Sequence, residues 1–412
     1  GQGREAEAER IASNAGAALA MSGLVLALGA FSASFLVGDS QYRIALRMAA
    51  SVVWLAQFQE FLREVAGARH LFGVRSAEVL LDAATNVTAT LLLTYWFGLV
   101  GLGAAAILTA LVPVCYLWRR LRFRLSSRLD RGALRDLVRV GLPYSFLETS
   151  FHLTKYLGLP IVAITLGSTA AGYYALCTLI LEFSTNIIQI GVSRVVGPHL
   201  LQEFGRLGNH PQVARYYEMP TRLFCYTLPP VLYLASLMLP KLVALLLPHY
   251  GPGVGAAQVV LWAVFFLSIN ASVDAFLNAA GKVTAALAIA LALMPAGAAA
   301  HWLAASSGLG LAGVAASCVG TLAALVTAKL YLAQRECGRS RAEAVVFLGS
   351  LYLPVAASAL FALLAHALAS NLALPEPLRT PAQAVLYLAF YAPLLVAYEM
   401  RFSLLRAARQ AV

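Results

Sequence analysis

Apolar residues recur along this chain in blocks of about 20, the length a helix needs to cross a hydrocarbon core of roughly 30 Å. Twelve blocks run over residues 14–38, 44–66, 76–97, 99–118, 140–165, 169–197, 221–247, 255–280, 282–304, 309–334, 343–369 and 380–403. None shows the alternation of a barrel strand. A spanning segment must satisfy its backbone internally, so each block predicts a helix. Pro160, Pro229, Pro230, Pro295, Pro354 and Pro393 lie inside blocks and predict kinks that membrane helices tolerate. The fold class expected is an all-α polytopic membrane protein with twelve transmembrane helices.

Composition agrees with the pattern. The chain has 412 residues, 60% of them hydrophobic and 12% charged, with a mean hydropathy of +0.75. That leaves too few polar groups to cover a soluble domain of this size. The net charge of +11 would suit a nucleic acid, but its placement argues otherwise. Loops at 1–13, 63–75, 119–139, 194–222, 281–282, 329–342 and 401–412 carry 25 of the 30 Lys and Arg residues. Every second loop is basic, which predicts a bacterial inner-membrane protein with both termini of this chain cytoplasmic and no nucleic-acid partner. Residues 119–139 carry eight arginines interleaved with Leu and Phe. They predict an amphipathic cytoplasmic helix lying on anionic membrane lipid. The five cysteines show neither CxxC nor metal-ligand spacing and read as small packing residues.

A weak internal repeat organises the blocks. Residues 98–108 (GLVGLGAAAIL) align with 308–318 (GLGLAGVAASC) at a constant offset of 210, matching Gly98 with Gly308 and Gly103 with Gly313. Residues 60–73 resemble 275–283, each with a Phe-Leu pair ahead of a short basic loop. Two parallel bundles are a common transporter plan. The domains expected are 1–118, a four-helix N-terminal bundle; 119–139, the basic linker; 140–335, a six-helix bundle; and 343–403, two additional helices. Against a six-helix second bundle the first is two short, so two helices are expected ahead of residue 1. The fold is then 4 + 6 + 2, two pseudo-symmetric bundles around a central cavity.

The stretch GQGREAEAERIASNAG (1–16), the long basic linker and GLPYSFLETSFHL followed by LGSTAAGYYALCTL (166–179) resemble the polysaccharide-transport (Wzx-type) branch of the multidrug/oligosaccharidyl-lipid/polysaccharide exporter superfamily. The resemblance covers essentially the whole chain, through loose motifs. It implies a flippase moving a polyprenyl-diphosphate-linked oligosaccharide from the cytoplasmic to the periplasmic leaflet by alternating access, for surface polysaccharide export. A polymerase and glycosyltransferases of the same pathway are the implied protein partners.

Polar residues inside the blocks are the expected site, because they are expensive in hydrocarbon and usually face a bundle interior or a wet cavity. Glu148, His152 and Lys155 share one helix face. Asn270, Asp274 and Asn278 form a stripe, Asp82 pairs with Asn86, and Glu182 pairs with Asn186. Gln57, Glu60 and Arg63 occupy one helix end. A diphosphate requires cations, for which Arg63, Lys155 and Arg194 stand. Sugar hydroxyls would meet Asn86, Asn186, Asn270, Asn278 and His152. Asp82, Glu148, Glu182 and Asp274 would neutralise those cations or carry a coupling H⁺ or Na⁺. Each cluster also reads as a structural network: internally neutralised charges, interhelical hydrogen bonds, or arginines snorkelling to the interface. No phosphate loop, HExxH or GxSxG motif is present, so no catalytic residue, metal or cofactor is expected. The other readings are a multidrug or cation antiporter of the same superfamily, a peptidoglycan-precursor flippase and, last, a membrane polymerase or sugar transferase.

Overall fold

All twelve apolar blocks overlap helices in the computed structural model, which describes residues 2–36, 38, 40–69, 71–122, 130–188, 211–372 and 375–402. Among the described residues there is no strand. The chain divides into two compact units, Gly1–Leu142 and Pro143–Val412.

The first unit is built on α1 (Gln2–Ala33), α2 (Ser40–Ala68) and α3 (Phe72–Leu121). Helix α2 packs against both others. Leu62, Val65 and Ala66 of α2 meet Val114, Leu117 and Leu121 of α3 in a small core. At 1.5 Å per residue, the 50 residues of α3 would be more than twice as long as a bilayer core is thick. The run is broken at Gly98, whose φ of 57° and ψ of −131° are non-helical. Only glycine takes this backbone conformation without strain, and the expected blocks 76–97 and 99–118 meet there. Arg69 Nη1 donates to the Leu121 carbonyl at 3.0 Å where α3 ends.

Part of the basic linker departs from expectation. Residues 123–129 lie outside those described. Arg131–Arg139 is not a separate surface helix but runs without a break into α4 (Arg131–Tyr156). Its start is tied to α1: the Asp130 N–H donates to Asn14 Oδ1 at 2.9 Å, and Arg10 lies 3.5 Å from the Asp130 carboxylate.

The second unit continues with α5 (Gly158–Thr165), α6 (Ser168–Ile188), α7 (Pro211–Leu246), α8 (Val254–Val260), α9 (Ala263–Ala279), α10 (Val283–Ser306), α11 (Gly310–Glu336), α12 (Arg341–Asn371) and α13 (Glu376–Phe402). The expected single helix 140–165 is two pieces. Pro160 has no N–H for the Tyr156 carbonyl, and the chain turns at Leu157. Gly158 then approaches α6 so closely that a Cβ there would lie 2.5 Å from Tyr174 Oη. The expected helix 255–280 is also broken, with a 44° bend at Leu261–Trp262. Hydrogen bonds tighten there to three-residue spacing, Trp262 N–H to Val259 O and Val264 N–H to Leu261 O, both 3.1 Å.

Helices α9 and α11 form the centre of this unit. Phe265, Ile269 and Phe276 pack with Cys318, Leu322 and Val326, and with Tyr174, Cys177 and Leu181 of α6. Helices α12 and α13 pack on each other and on α7. Their contact is a tyrosine cluster in which Ser358 and Tyr387 share a 2.6 Å hydrogen bond and Tyr391 donates to the Tyr226 carbonyl at 3.0 Å. Among the described residues, seven helices are long and apolar enough to cross a membrane, or eight if the bent pair is one span. The protein is a multi-pass membrane protein.

Candidate functional site

The helices that fall short of that apolar criterion are informative. Helices α2, α4 and the first half of α3 are among them, and they carry buried ionic groups.

In the first unit Arg63 of α2 faces Glu78 of α3. Its Nε and Nη2 donate to the two Glu78 oxygens at 2.9 and 2.7 Å, a fork-to-fork pair around a fully buried carboxylate. Nη1 donates to Glu60 at 2.7 Å, and Asp82 stands 3.9 Å away. Gln59 Nε2 bridges, donating to Glu78 at 2.8 Å and Asp82 at 3.4 Å. One guanidinium thus meets three carboxylates. Arg63, expected as a cation open to phosphate, is engaged. Asn86, two turns past Glu78, is exposed and accepts from Thr90 at 3.1 Å.

In the second unit two fully buried lysines anchor a network over four helices. Lys329 of α11 donates to Asp274 at 2.8 and 3.1 Å and to Asn270 Oδ1 at 3.1 Å, while Asn270 Nδ2 donates to Asp274 at 2.7 Å. Its Nζ also lies 5.5 Å from the Phe151 ring of α4. Glu148, one turn earlier on α4, interacts electrostatically with Asp274 and both lysines. Lys155 of α4 donates to Thr185 Oγ1 of α6 at 3.0 Å, lies 3.8 Å from Glu182, and stands 4.5 Å from the Tyr156 ring. The Tyr156 hydroxyl donates to Glu182. His152 is exposed, 3.9 Å from Glu148. Asn278 Oδ1 is buried without a hydrogen-bond partner among the described residues. Such an arrangement holds two buried cations beside three carboxylates.

Among the predicted residues, the structure brings together Arg63 with Asp82, Lys155 with Glu182, and Asn270 with Asp274 on Lys329, while Glu148 interacts electrostatically with both lysines. The Asn186 side chain and Arg194 lie outside the described residues. Sequence reasoning missed Glu78 and Lys329. Glu78 precedes Asp82 by four residues, so the Glu78–Asp82–Asn86 spacing carried the signal. Lys329 was counted in the basic loop 329–342, but α11 continues to Glu336 and puts it two turns inside the helix. No group of three or more His, Cys, Asp or Glu residues is placed to hold a metal among the described residues.

Fold and site define a polytopic helical membrane protein with ionic networks buried among its helices. A family model described as a polysaccharide biosynthesis protein matches residues 10–249. The chain belongs to the polysaccharide biosynthesis protein family. No curated protein sequence matches it. Among solved structures, a multidrug/oligosaccharidyl-lipid/polysaccharide (MOP) superfamily transporter from Pyrococcus furiosus aligns with a TM-score of 0.67 at 14% identity, over 80% of this chain and 79% of that one. A MATE protein in complex with MaL6 aligns at 0.62 and 16% identity, over 80% of each chain. The lipid II flippase MurJ, in an inward closed conformation, aligns at 0.64 and 10% identity, over 96% of this chain and 85% of that one. At these identities the likeness establishes a shared fold.

Proposed function

We propose that this protein is a flippase that moves a polyprenyl-diphosphate-linked oligosaccharide from the cytoplasmic to the periplasmic leaflet by alternating access, for surface polysaccharide export. The observation that carries the reading is the pair of buried lysines, Lys155 and Lys329, inside a chain of a polysaccharide biosynthesis family. Cations inside a membrane bundle are expensive and so are read first as functional, and a diphosphate is an anion they would match.

In this mechanism Lys155 is the first headgroup contact, because its ammonium has a neutral acceptor, Thr185, nearer than its carboxylate neighbour, Glu182. Arg63, Arg194 and Lys329 are supporting cations. Asn86, Asn186, Asn270, Asn278 and His152 supply hydrogen bonds to sugar hydroxyls. Glu148, Glu182 and Asp274, with Asp82 in the first unit, take up the freed charge or a coupling H⁺ or Na⁺. The protein works in a bacterial inner membrane with both ends of this chain cytoplasmic. We place twelve spans in it as 4 + 6 + 2, and its pathway partners are a polymerase and glycosyltransferases.

One observation favours a second reading. The three carboxylates around Arg63 leave negative charge in the first unit, which suits a cationic cargo, as in a multidrug antiporter. Surface polymer measured in cells making the Lys155→Ala protein separates the two. The flippase reading expects polymer to be lost with membrane abundance unchanged. Undiminished polymer, with loss of resistance to cationic dyes, contradicts it.

A further inference from the structure

A cavity of about 360 Å³ opens in the first unit, between α1, α2 and α3. It is within the roughly 300–1,000 Å³ range of small-ligand sites. Ala20, Trp54, Phe58, Val114, Cys115 and Trp118 form its apolar walls, and Arg119 stands at its edge. The walls are fixed. Trp54 Nε1 donates to the Ala20 carbonyl at 3.1 Å, and its ring packs so closely on Gly23 that a Cβ there would lie 2.6 Å away. Phe58 and Trp118 lie with centroids 5.8 Å apart.

The polar edge is as distinctive as the walls. Arg119 and Arg120 close the last turn of α3, Arg122 follows, and no carboxylate occurs among residues 116–122. Arg120 is held over the Tyr116 ring at 5.7 Å. Arg119 is exposed and has no hydrogen-bond or ion-pair partner among the described residues. An apolar slot ending at an exposed guanidinium is complementary to an amphiphile with one chain in the slot and a phosphate at its end. Trp118 beside Arg119 fits the same depth, since indoles and guanidiniums collect where hydrocarbon meets water.

We propose that this cavity binds one acyl chain of an anionic glycerophospholipid, with its phosphate on Arg119. Its neighbours Arg120 and Arg122 supply the field that favours an anionic over a zwitterionic headgroup. The bound lipid fills a space whose lining otherwise lacks packing partners on one side, and so makes the packing of α1, α2 and α3 depend on lipid charge. The site is remote in sequence from the two lysines of the second unit and does not rest on the substrate reading.

Cys115 gives a native probe, because it is the exposed cysteine among three that are buried and one that is half-buried. The full chain in neutral detergent micelles is alkylated with a maleimide, and modification at Cys115 is followed by peptide mass spectrometry. Phosphatidylglycerol should slow it about tenfold at ten times its Kd, by simple occupancy. Phosphatidylcholine should have little effect, and added salt should weaken the protection. Arg119→Gln should bind phosphatidylglycerol about fivefold more weakly, the worth of one cation near an anionic headgroup. Ala20→Phe, which fills the slot, should make Cys115 slow to react with or without lipid. Equal protection by both phospholipids overturns the proposal. So does slow alkylation of the wild type without lipid, which would mean that protein covers the cavity. Protection by a polyprenyl phosphate but not by phosphatidylglycerol also overturns it.

Discussion

At the scale of single residues, the polar positions divide by what surrounds them. Glu78 is fully buried and receives three hydrogen bonds, two from Arg63 and one from Gln59, whereas Glu60 touches the same guanidinium from an exposed position. Removing one partner of a buried pair leaves an uncompensated charge and costs about 3–5 kcal/mol, while an exposed pair is worth about 1 kcal/mol or less. Thermal unfolding in detergent should therefore show Arg63→Met, which strands the buried Glu78 carboxylate, as strongly destabilised and Glu60→Ala as close to wild type. Lys329 obeys the same rule. Lys329→Met should lose about 3–5 kcal/mol by stranding Asp274, and the double change Lys329→Met/Asp274→Leu should recover much of it. A double variant no more stable than the single one would mean that Lys329 is held by more than this pair. The spacing of four along α3 and α9 made Asp82, Asn270 and Asp274 legible in the sequence. Which cation each faces was not legible, because pairing across helices depends on packing that no spacing along one helix encodes.

At the scale of elements, apolar length located the helices, since every expected block overlaps one. The breaks inside them are less visible in composition. Proline located one: Pro160 forces α5 away from α4. The bend between α8 and α9 contains neither proline nor glycine at Leu261–Trp262, and arises from locally tightened hydrogen bonding. Glycine marks the matching ends of the internal repeat, where Gly98 and Gly308 have φ of 57° and 80°. A Cβ at either would meet no atom within 4 Å, so the cost of substitution is conformational. Gly98→Ala and Gly308→Ala should each destabilise by about 1–2 kcal/mol, read as lowered thermal midpoints in detergent. Unchanged midpoints would show that the turns relax freely. The basic linker was misjudged over Arg131–Arg139 because a separate surface helix and the first turns of a longer helix share the same mix of Arg and Leu.

For the whole molecule, the proposal is transport of an anionic glycolipid across the membrane, and the buried cations are what support it. Orientation is part of that reading. Ser307→Cys, in the turn between α10 and α11, should react with an impermeant maleimide added outside spheroplasts. Arg341→Cys, at the start of α12, should react only after permeabilisation. The reverse pattern would invert the proposed topology. The most direct test of the central claim is leaflet transfer of a labelled polyprenyl-diphosphate oligosaccharide in proteoliposomes holding the full-length protein. The account predicts transfer above that of empty vesicles, lost in the Lys155→Ala protein while its thermal midpoint remains measurable and cooperative. Transfer no faster than in empty vesicles, or equal in wild type and Lys155→Ala, would contradict it.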